Sequence, residues 1–385
     1  MQKKITIILT LLLSINLYGQ KKDTLTFFSP AFQQKRTVYI QTPEFYKYQS
    51  DSVKLPVIYI LDGQHEWFVN PLLSTIRYLQ YTHEIPQALL VIIPHVNRNA
   101  ECGIKNLGQE VLPLHLFITE ELNAQIERYN PNDYRMVIGH SFSASFALYS
   151  HLKNKEFYSA VIANTPLDHI EDLIVELAKN KKADLEKISI SIGGIEQEKD
   201  FYHRRKFDGL KLKYPAIFNS INIFEADNSA HNAVPIVAMP ALLTKNFRDF
   251  RSRYSKIAEV NEEYKLVTQP ESIKSELNKI NAASLIGSSK YSPEIADING
   301  LASRYLASDL NDYGAAVYEM GIRYFPKYYE FHLGLYQLYL PMEKAKAKHH
   351  LNSAAKLIES LEAELPEKRE LLKEINSEKA KNGWQ

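Results

Sequence analysis

Short, wholly apolar runs separated by helical patterns limit the possible folds of this chain more than any other feature. The runs lie at residues 55–61, 88–93, 136–138, 160–163, 188–192 and 221–224. Strands that are apolar on both sides belong to sheets covered on both faces, as in parallel α/β proteins. Helical patterns lie between the runs, at 111–129, 142–152 and 170–178. Residues 36–40 alternate like an early antiparallel strand. The pattern predicts an α/β fold with a doubly wound, mostly parallel sheet over residues 20–255.

The strand pattern stops after about residue 240, and residues 270–385 are predicted to be a helical appendage. When Pro326 is taken as the last position of a tetratricopeptide unit of about 34 residues, the packing positions fall on Leu301, Ala302, Tyr305, Gly314, Tyr318 and Gly321. Residues 329–358 echo the unit, and Pro366 opens a charged helix that resembles a solenoid cap. A generic helical bundle is the alternative. About one and a half units are too few to fold alone, so we expect this region to lean on the sheet domain. It is also a candidate surface for a protein partner.

The N-terminal segment predicts export. Lys3 and Lys4 precede an uncharged apolar run over 5–17, and Gly19 is a small residue at the cleavage point. Residues 1–19 are therefore predicted to be a signal peptide, too short to span a bilayer, and the mature chain is predicted to be periplasmic or secreted without stable membrane insertion. An uncleaved membrane anchor is the alternative. Cys102, the only cysteine, lies far from this segment, which excludes a lipid anchor at the cleavage site and an intrachain disulfide.

Charge and composition exclude several partners. The chain has 46 Lys and Arg residues against 45 Asp and Glu residues, so it lacks the basic excess that nucleic-acid binding requires. No group of His, Cys and acidic residues has the spacing of metal ligands, so neither a metal nor an organic cofactor is predicted. A small-molecule partner is the remaining expectation.

The strongest local motif spans residues 137–145, where an apolar strand meets a small residue, a serine and a helix. This is the context of a nucleophile elbow, in which the serine lies on a strained turn between small neighbours. Gly139 and Ser143 flank Ser141 with the spacing G-x-S-x-S instead of the usual G-x-S-x-G. The alternative is a serine that caps a helix.

A serine nucleophile needs a histidine to take its proton and a carboxylate to orient that histidine. His231 follows the last apolar run directly, which makes it the predicted base. His203 has charged neighbours and is predicted to be a solvated or substrate-facing surface residue.

The predicted acid is Glu196, because Gly193 and Gly194 let the chain turn sharply after the run at 188–192 and present a carboxylate at the end of that strand. Asp200 and, less favoured, Glu198 are alternatives, as is a plain exposed acidic loop.

An oxyanion hole requires two backbone N–H donors, one of them from the residue after the nucleophile. Phe142 supplies this donor, and Gln64, which follows Gly63 in the loop after an earlier strand, supplies the other. Trp67 and Phe68 either wall a substrate pocket or lie in the core.

These motifs together resemble the esterase branch of the α/β hydrolases, which includes enterobactin (siderophore) esterases and the esterase D group. The resemblance covers about residues 25–250 and rests on the segments 59–64, 92–94 with Arg98, 135–142, 193–196, and His231 with 234–235. The stretch 293–326 also resembles the helical repeat tail of some bacterial members. The resemblance implies a serine-dependent carboxylic-ester hydrolase, with Ser141, His231 and an acid in catalysis and a small-molecule ester as substrate.

The chain departs from this family at two places. Ser143 stands where a glycine is usual, and residues 164–168 replace a Ser-Pro-Ser stretch. Arg98 either binds an anionic part of the substrate or ties down its own loop through a salt bridge.

Three functions fit: ester hydrolysis, acyl transfer, or a decayed hydrolase that acts as a scaffold through its helical tail. Siderophore lactones, acetylated or feruloylated sugars and small thioesters are all candidate substrates, and the siderophore type is favoured by resemblance only.

Overall fold

The computed structural model describes residues 22–108, 111–195, 201–361 and 366–384. Its main sheet has eight strands: β1 (Lys22–Ser29), β2 (Gln34–Gln41), β3 (Leu55–Ile60), β4 (Leu89–Ile92), β5 (Pro131–His140), β6 (Ala160–Asn164), β7 (Ile188–Gly193) and β8 (Asn222–Ala226). Their order is β1-β2-β4-β3-β5-β6-β7-β8. The two pairs that involve β2 are antiparallel, and all other pairs are parallel. The predicted doubly wound, mostly parallel sheet is confirmed.

Helices cover this sheet on both faces. They are α1 (Glu66–Tyr81), α2 (Arg98–Cys102), α3 (Pro113–Leu116), α4 (Asn123–Ile126), α5 (Phe142–Lys153), α6 (Ile170–Leu177), α7 (Lys182–Leu185), α8 (Phe201–Lys213), α9 (Pro215–Phe218), α10 (Val234–Asn246) and α11 (Arg248–Ser252). In β3, Val57 and Tyr59 belong to one hydrophobic cluster, whereas Ile58 and Ile60 belong to a second cluster. Burial on both faces explains why the strands read as continuous apolar runs.

Two elements differ from the sequence prediction. β1 was not predicted, because it is an edge strand of which only Leu25 and Ser29 are buried, and so it has no apolar run. The helix predicted over 111–129 forms as α3, a π-helical turn (Phe117–Leu122), α4 and a 3-10 turn (Glu127–Tyr129).

The C-terminal region is helical, as predicted, apart from a small hairpin. It contains α12 (Ile273–Ala283), β9 (Leu285–Ile286), β10 (Ser289–Lys290), α13 (Ile295–Leu306), α14 (Asn311–Tyr324), α15 (Tyr329–Tyr339), α16 (Lys344–Glu359) and α17 (Pro366–Lys381). Small residues lie where successive helices meet. A Cβ on Gly314 would lie 2.5 Å from Leu306, and one on Gly321 would lie 2.8 Å from Phe331. The tetratricopeptide character of these pairs stays a prediction.

The helical region packs directly on the sheet domain. The N–H of Ser50 donates to the carbonyl of Tyr324 at 2.8 Å, and the rings of Tyr48 and Tyr328 lie 5.5 Å apart. Ile298 and Leu301 of α13 belong to the same hydrophobic cluster as β3. The C-terminal helices therefore share a core with the sheet.

No helix in the described ranges is both long and apolar enough to cross a membrane. The predicted signal peptide at 1–19 lies outside the described residues.

Candidate active site

Ser141 lies on a strained turn between β5 and α5. Its φ of 61° and ψ of −118° place it in the left-handed φ region, a conformation that costs a non-glycine residue on the order of 1–3 kcal/mol. Its N–H donates to the carbonyl of Asn164 in β6 at 2.9 Å. A Cβ on Gly139 would lie 2.4 Å from the carbonyl oxygen of Ser143, so only glycine fits there. The strand, strained turn and helix expected of a nucleophile elbow are present.

Ser143, which replaces the usual glycine, is fully buried and hydrogen-bonded. Its Oγ donates to Oδ2 of Asp62 at 2.5 Å and accepts from the N–H of His140 at 2.8 Å. The side chain therefore fits between the elbow helix and the sheet because it has buried polar partners. The close approach of Ser143 to Gly139 shows that α5 still packs tightly against β5.

The loop after β3 lies beside the elbow. Asp62 has a φ of 60°, and the N–H of Gly63 donates to the carbonyl of Ile93 at 2.9 Å. A Cβ on Gly63 would lie 2.7 Å from the backbone nitrogen of Pro94, so the close passage of the β4 end requires glycine. The side-chain oxygen of Gln64 accepts from the N–H of His95 at 2.8 Å, which fixes Gln64 on this loop.

Two backbone donors near the elbow are open. Within the part of the chain that the structure describes, the N–H groups of Gln64 and Phe142 donate to no protein acceptor. An oxyanion hole needs donors that are free in this way.

Arg98 forms the salt bridge that was one of its two predicted roles. Its Nε donates to Oδ1 of Asp62 at 2.5 Å, and its Nη2 donates to Oδ2 of Asp62 at 3.1 Å and to the carbonyl of His140 at 2.6 Å. Burial acts to raise the pKa of Asp62, but the hydrogen bond and charge of Arg98 and the hydrogen bond of Ser143 together hold that pKa below its ordinary value.

This charge cluster continues away from the elbow. His95 lies 3.7 Å from Asp62 and 2.9 Å from Glu101, and Arg36 of β2 donates twice to Glu101 at 2.8 Å. Burial opposes ionisation of Glu101, yet the hydrogen bonds from His95, Arg36 and the backbone of Asn97 lower its pKa to about 2. The loops after β3 and β4 are thus joined by buried ionic groups.

His231 lies on the loop that follows β8, at the same edge of the sheet. The N–H of Gly194 donates to the carbonyl of Ser229 at 3.0 Å, and a Cβ on Gly193 would lie 2.4 Å from both that oxygen and Cγ2 of Val234. Neither glycine has a positive φ. Close contact with the loop after β8 requires glycine at Gly193, whereas a Cβ on Gly194 would lie 3.0 Å from the side chain of Arg204 in α8. Glu196, Glu198 and Asp200 lie outside the described residues.

A row of aromatic rings crosses this edge. Successive ring centroids lie 5.5, 4.7, 6.0 and 3.7 Å apart in the order Trp67, His140, His231, His203 and Tyr202. Trp67 and Tyr202, at the two ends, have exposed fractions of 45% and 56%. Of the two aromatic residues after Gln64, Phe68 is thus a core residue and Trp67 a rim residue. His203 shares a small cleft with His231, Gly193 and Thr165. Thr165 belongs to the stretch that departs from the family pattern.

His140 was not assigned a role from the sequence, although it lies between Gly139 and Ser141. It is buried, and its Nε2–H donates to the carbonyl of His231 at 3.2 Å. Burial and the neighbouring His231 lower its pKa to about 4, so the ring is neutral near pH 7. His140 therefore connects the elbow to the loop that carries His231.

Among the residues that the structure describes, no group of three or more His, Cys, Asp and Glu side chains could hold a metal ion.

This chain is similar to known proteins both in sequence, through a family model, and in structure. Residues 29–199 match the model of a family described as "Putative esterase". A comparison with curated proteins gave no significant match. An uncharacterised protein from Capnocytophaga ochracea DSM 7271 has a similar structure, with a TM-score of 0.55 and 15% identity over 93% of this chain and 100% of that chain. The IroE-like serine hydrolase from Shewanella oneidensis has a TM-score of 0.57 and 19% identity over 79% of this chain and 99% of that chain. Since the match to the Capnocytophaga ochracea protein covers 93% of this chain, the shared fold includes C-terminal helices as well as the sheet.

Proposed function

We propose that this chain is a serine esterase with Ser141 as nucleophile and His231 as base, because residues 29–199 match the model of the family described as "Putative esterase". The strained backbone of Ser141 on the turn between β5 and α5 is the observation that carries the proposal. The position of His231 beside His140, the residue before the nucleophile, supports the choice of base.

In the proposed reaction, Oγ of Ser141 attacks the ester carbonyl carbon while His231 takes the serine proton. The N–H groups of Gln64 and Phe142 donate to the oxyanion. The tetrahedral intermediate then expels the alcohol, to which His231 gives the proton. Water, deprotonated by His231, hydrolyses the acyl-enzyme by the same route and frees Ser141.

We assign the acid to the loop after β7, with Glu196 first and Asp200 and Glu198 as alternatives. The support is the contact between the described ends of the two loops, where the N–H of Gly194 donates to the carbonyl of Ser229. The first residues of the acid loop therefore contact Ser229, which precedes His231 by two residues.

For the substrate, we propose an uncharged ester that carries a ring. Exposed rings at Trp67 and Tyr202 offer flat faces at the two ends of the row of rings that contains His231. The charge of Arg98 is matched by Asp62, and Arg204 donates to three carboxylates, so neither offers an uncompensated charge to an anion. These pairings favour acetylated or feruloylated sugars over catecholate siderophores. Export of the mature chain is proposed from residues 1–19 alone.

Hydrolysis of p-nitrophenyl acetate by the mature protein tests the activity. Ser141→Ala is expected to lower kcat by about 10⁴-fold or more. Ser145→Ala, which removes another buried hydroxyl of α5, is expected to leave it unchanged. A fluorophosphonate probe should label the wild type and not Ser141→Ala. Equal rates in wild type and Ser141→Ala, with no labelling, would contradict the proposal and favour a decayed hydrolase.

The acid is tested separately with Glu196→Gln and Asp200→Asn. Loss of most turnover in Glu196→Gln alone supports the assignment, and loss in Asp200→Asn alone transfers it to Asp200.

A further inference from the structure

A closed ring of buried and partly buried hydrogen bonds joins the elbow to the loop after β3. Ser143 donates to Asp62, Arg98 donates to both Asp62 and the carbonyl of His140, and the N–H of His140 donates back to Ser143. Asp62 and Ser143 are fully buried, and Arg98 is 19% exposed. We call Ser143, Asp62 and Arg98 the elbow brace.

The brace joins residues that lie close in sequence to the two proposed oxyanion donors. Asp62 precedes Gln64 by two residues, and His140 precedes Phe142 by two residues. The parallel pairing of Ile60 with Ile138 brings Asp62 and His140 to equivalent positions, two residues beyond the last pair between β3 and β5. The hydrogen bond between Asp62 and Ser143 therefore lies at the same end of β3 and β5 as the two proposed donors.

We propose that Ser143 is a positioning residue whose hydroxyl, through Asp62 and Arg98, fixes the loop that carries Gln64 against the elbow that carries Phe142. This inference rests on the proposed serine-esterase function. The usual glycine at this position has no hydroxyl with which to make the bond to Asp62.

The strain in both loops explains why such a bond would matter. Asp62 and Ser141 both have a positive φ, near 60°, which costs free energy in residues other than glycine. Preorganised donors stabilise an oxyanion because they need not move during the reaction. A hydrogen bond from a hydroxyl to an ionised carboxylate is shorter and stronger than one between neutral groups, so the Ser143–Asp62 bond opposes relaxation of both strained segments.

Steady-state kinetics of Ser143→Ala test the proposal, with Ser145→Ala as the matched control. Both serines lie in α5 and are fully buried, but within the described residues Oγ of Ser145 has no hydrogen-bond partner. We expect Ser143→Ala to lower kcat about tenfold with KM changed less than about twofold, because the lost interaction acts on the transition state. Affinity for a boronic acid that forms a tetrahedral adduct with Ser141 should fall by a similar factor.

A double-mutant cycle separates positioning from general stability. In an Asp62→Asn background, Ser143→Ala should lower kcat by less than about twofold, because its partner is already changed. If Ser143→Ala acts fully in both backgrounds, or matches wild type in kcat and adduct affinity, the brace has no positioning role while the esterase function stands.

Hydrogen exchange keeps the proposal testable if no ester is hydrolysed. Peptides covering 62–65 and 140–145 should exchange faster in Ser143→Ala than in wild type or Ser145→Ala. If wild type and Ser141→Ala are equally inactive, the proposed function fails and exchange alone decides whether the brace exists. Unchanged exchange would overturn it.

Discussion

The two sides of the candidate site are held in place by different forces. On the oxyanion side, Asp62, Arg98 and Ser143 fix the loops through buried charges and hydrogen bonds. On the histidine side, the loops after β7 and β8 meet through the backbone of Gly194 and Ser229, with no room for a side chain at Gly193. One side depends on paired charges and the other on available space.

This difference predicts that different kinds of substitution destabilise the two sides. A buried charge is costly when its partner is removed, so the oxyanion side should be sensitive to deletion of a side chain. Close backbone contact leaves no room for added atoms, so the histidine side should be sensitive to the addition of a side chain. His140 is the link between them, because its backbone bonds to the brace and its ring bonds to the carbonyl of His231.

The largest effect is expected from Arg98→Met, which leaves the carboxylate of Asp62 buried without the guanidinium that donates two hydrogen bonds to it. Removing one partner of a buried ion pair costs about 3–5 kcal/mol, so the free energy of unfolding in urea should fall by about that amount. Arg98→Lys should recover part of the loss, because it keeps the charge but not the two-pronged geometry. A loss in Arg98→Met below about 1 kcal/mol would show that the oxyanion side does not depend on this charge pair.

Gly193→Ala should have the next largest effect, on the histidine side. The added Cβ would lie 2.4 Å from the carbonyl oxygen of Ser229, so the loop of His231 must move. We expect a loss of about 1–3 kcal/mol in unfolding free energy and a drop in kcat of at least about tenfold, since small displacements of a catalytic group are costly.

Gly209→Ala is the control for this substitution. A Cβ on Gly209, in the interior of α8, has no neighbour within 4 Å. That variant should be more stable by about 0.5–1 kcal/mol with unchanged kcat. If Gly193→Ala had the same stability and kcat as Gly209→Ala, close packing between the two loops would not exclude a side chain at position 193.

Much of this fold was predictable from the sequence, because strands buried on both faces leave continuous apolar runs. The strand and helix around Ser141 were predictable for the same reason, since a strand, small residues and a helix are local features. The edge strand β1 was missed because its half-exposed faces leave no apolar run.

The brace was not predictable, because it depends on strand register rather than on local pattern. Asp62 and Ser143 are 81 residues apart and meet only because β3 and β5 pair with Ile60 beside Ile138. From the sequence alone, Ser143 was simply a departure from the family glycine, with no partner to explain it.

The effect that is smallest near neutral pH concerns His140, the link between the two sides, and it is a dependence of stability on pH. The pKa of His140 is about 4, below the value of about 6.5 expected in the unfolded chain. Between these pH values the unfolded chain binds a proton that the folded chain does not. Stability is therefore full above about pH 6.5 and falls as the pH drops towards 4, by up to about 1.4 kcal/mol per pH unit for this group. In His140→Phe, the slope of unfolding free energy against pH should be shallower by up to this amount.

His115→Phe separates this stability effect from catalysis. His115 is also buried, and burial with Lys153 nearby lowers its pKa to about 4, but its Nδ1 bonds to Ser150 instead of to the site. Both variants should therefore lose a similar part of the pH slope. Only His140→Phe should also lower kcat, by about two- to fivefold, because it alone removes a hydrogen bond to the loop of His231. If His115→Phe lowered kcat equally, the effect of His140 would come from stability, and the two sides of the site would be independent of each other.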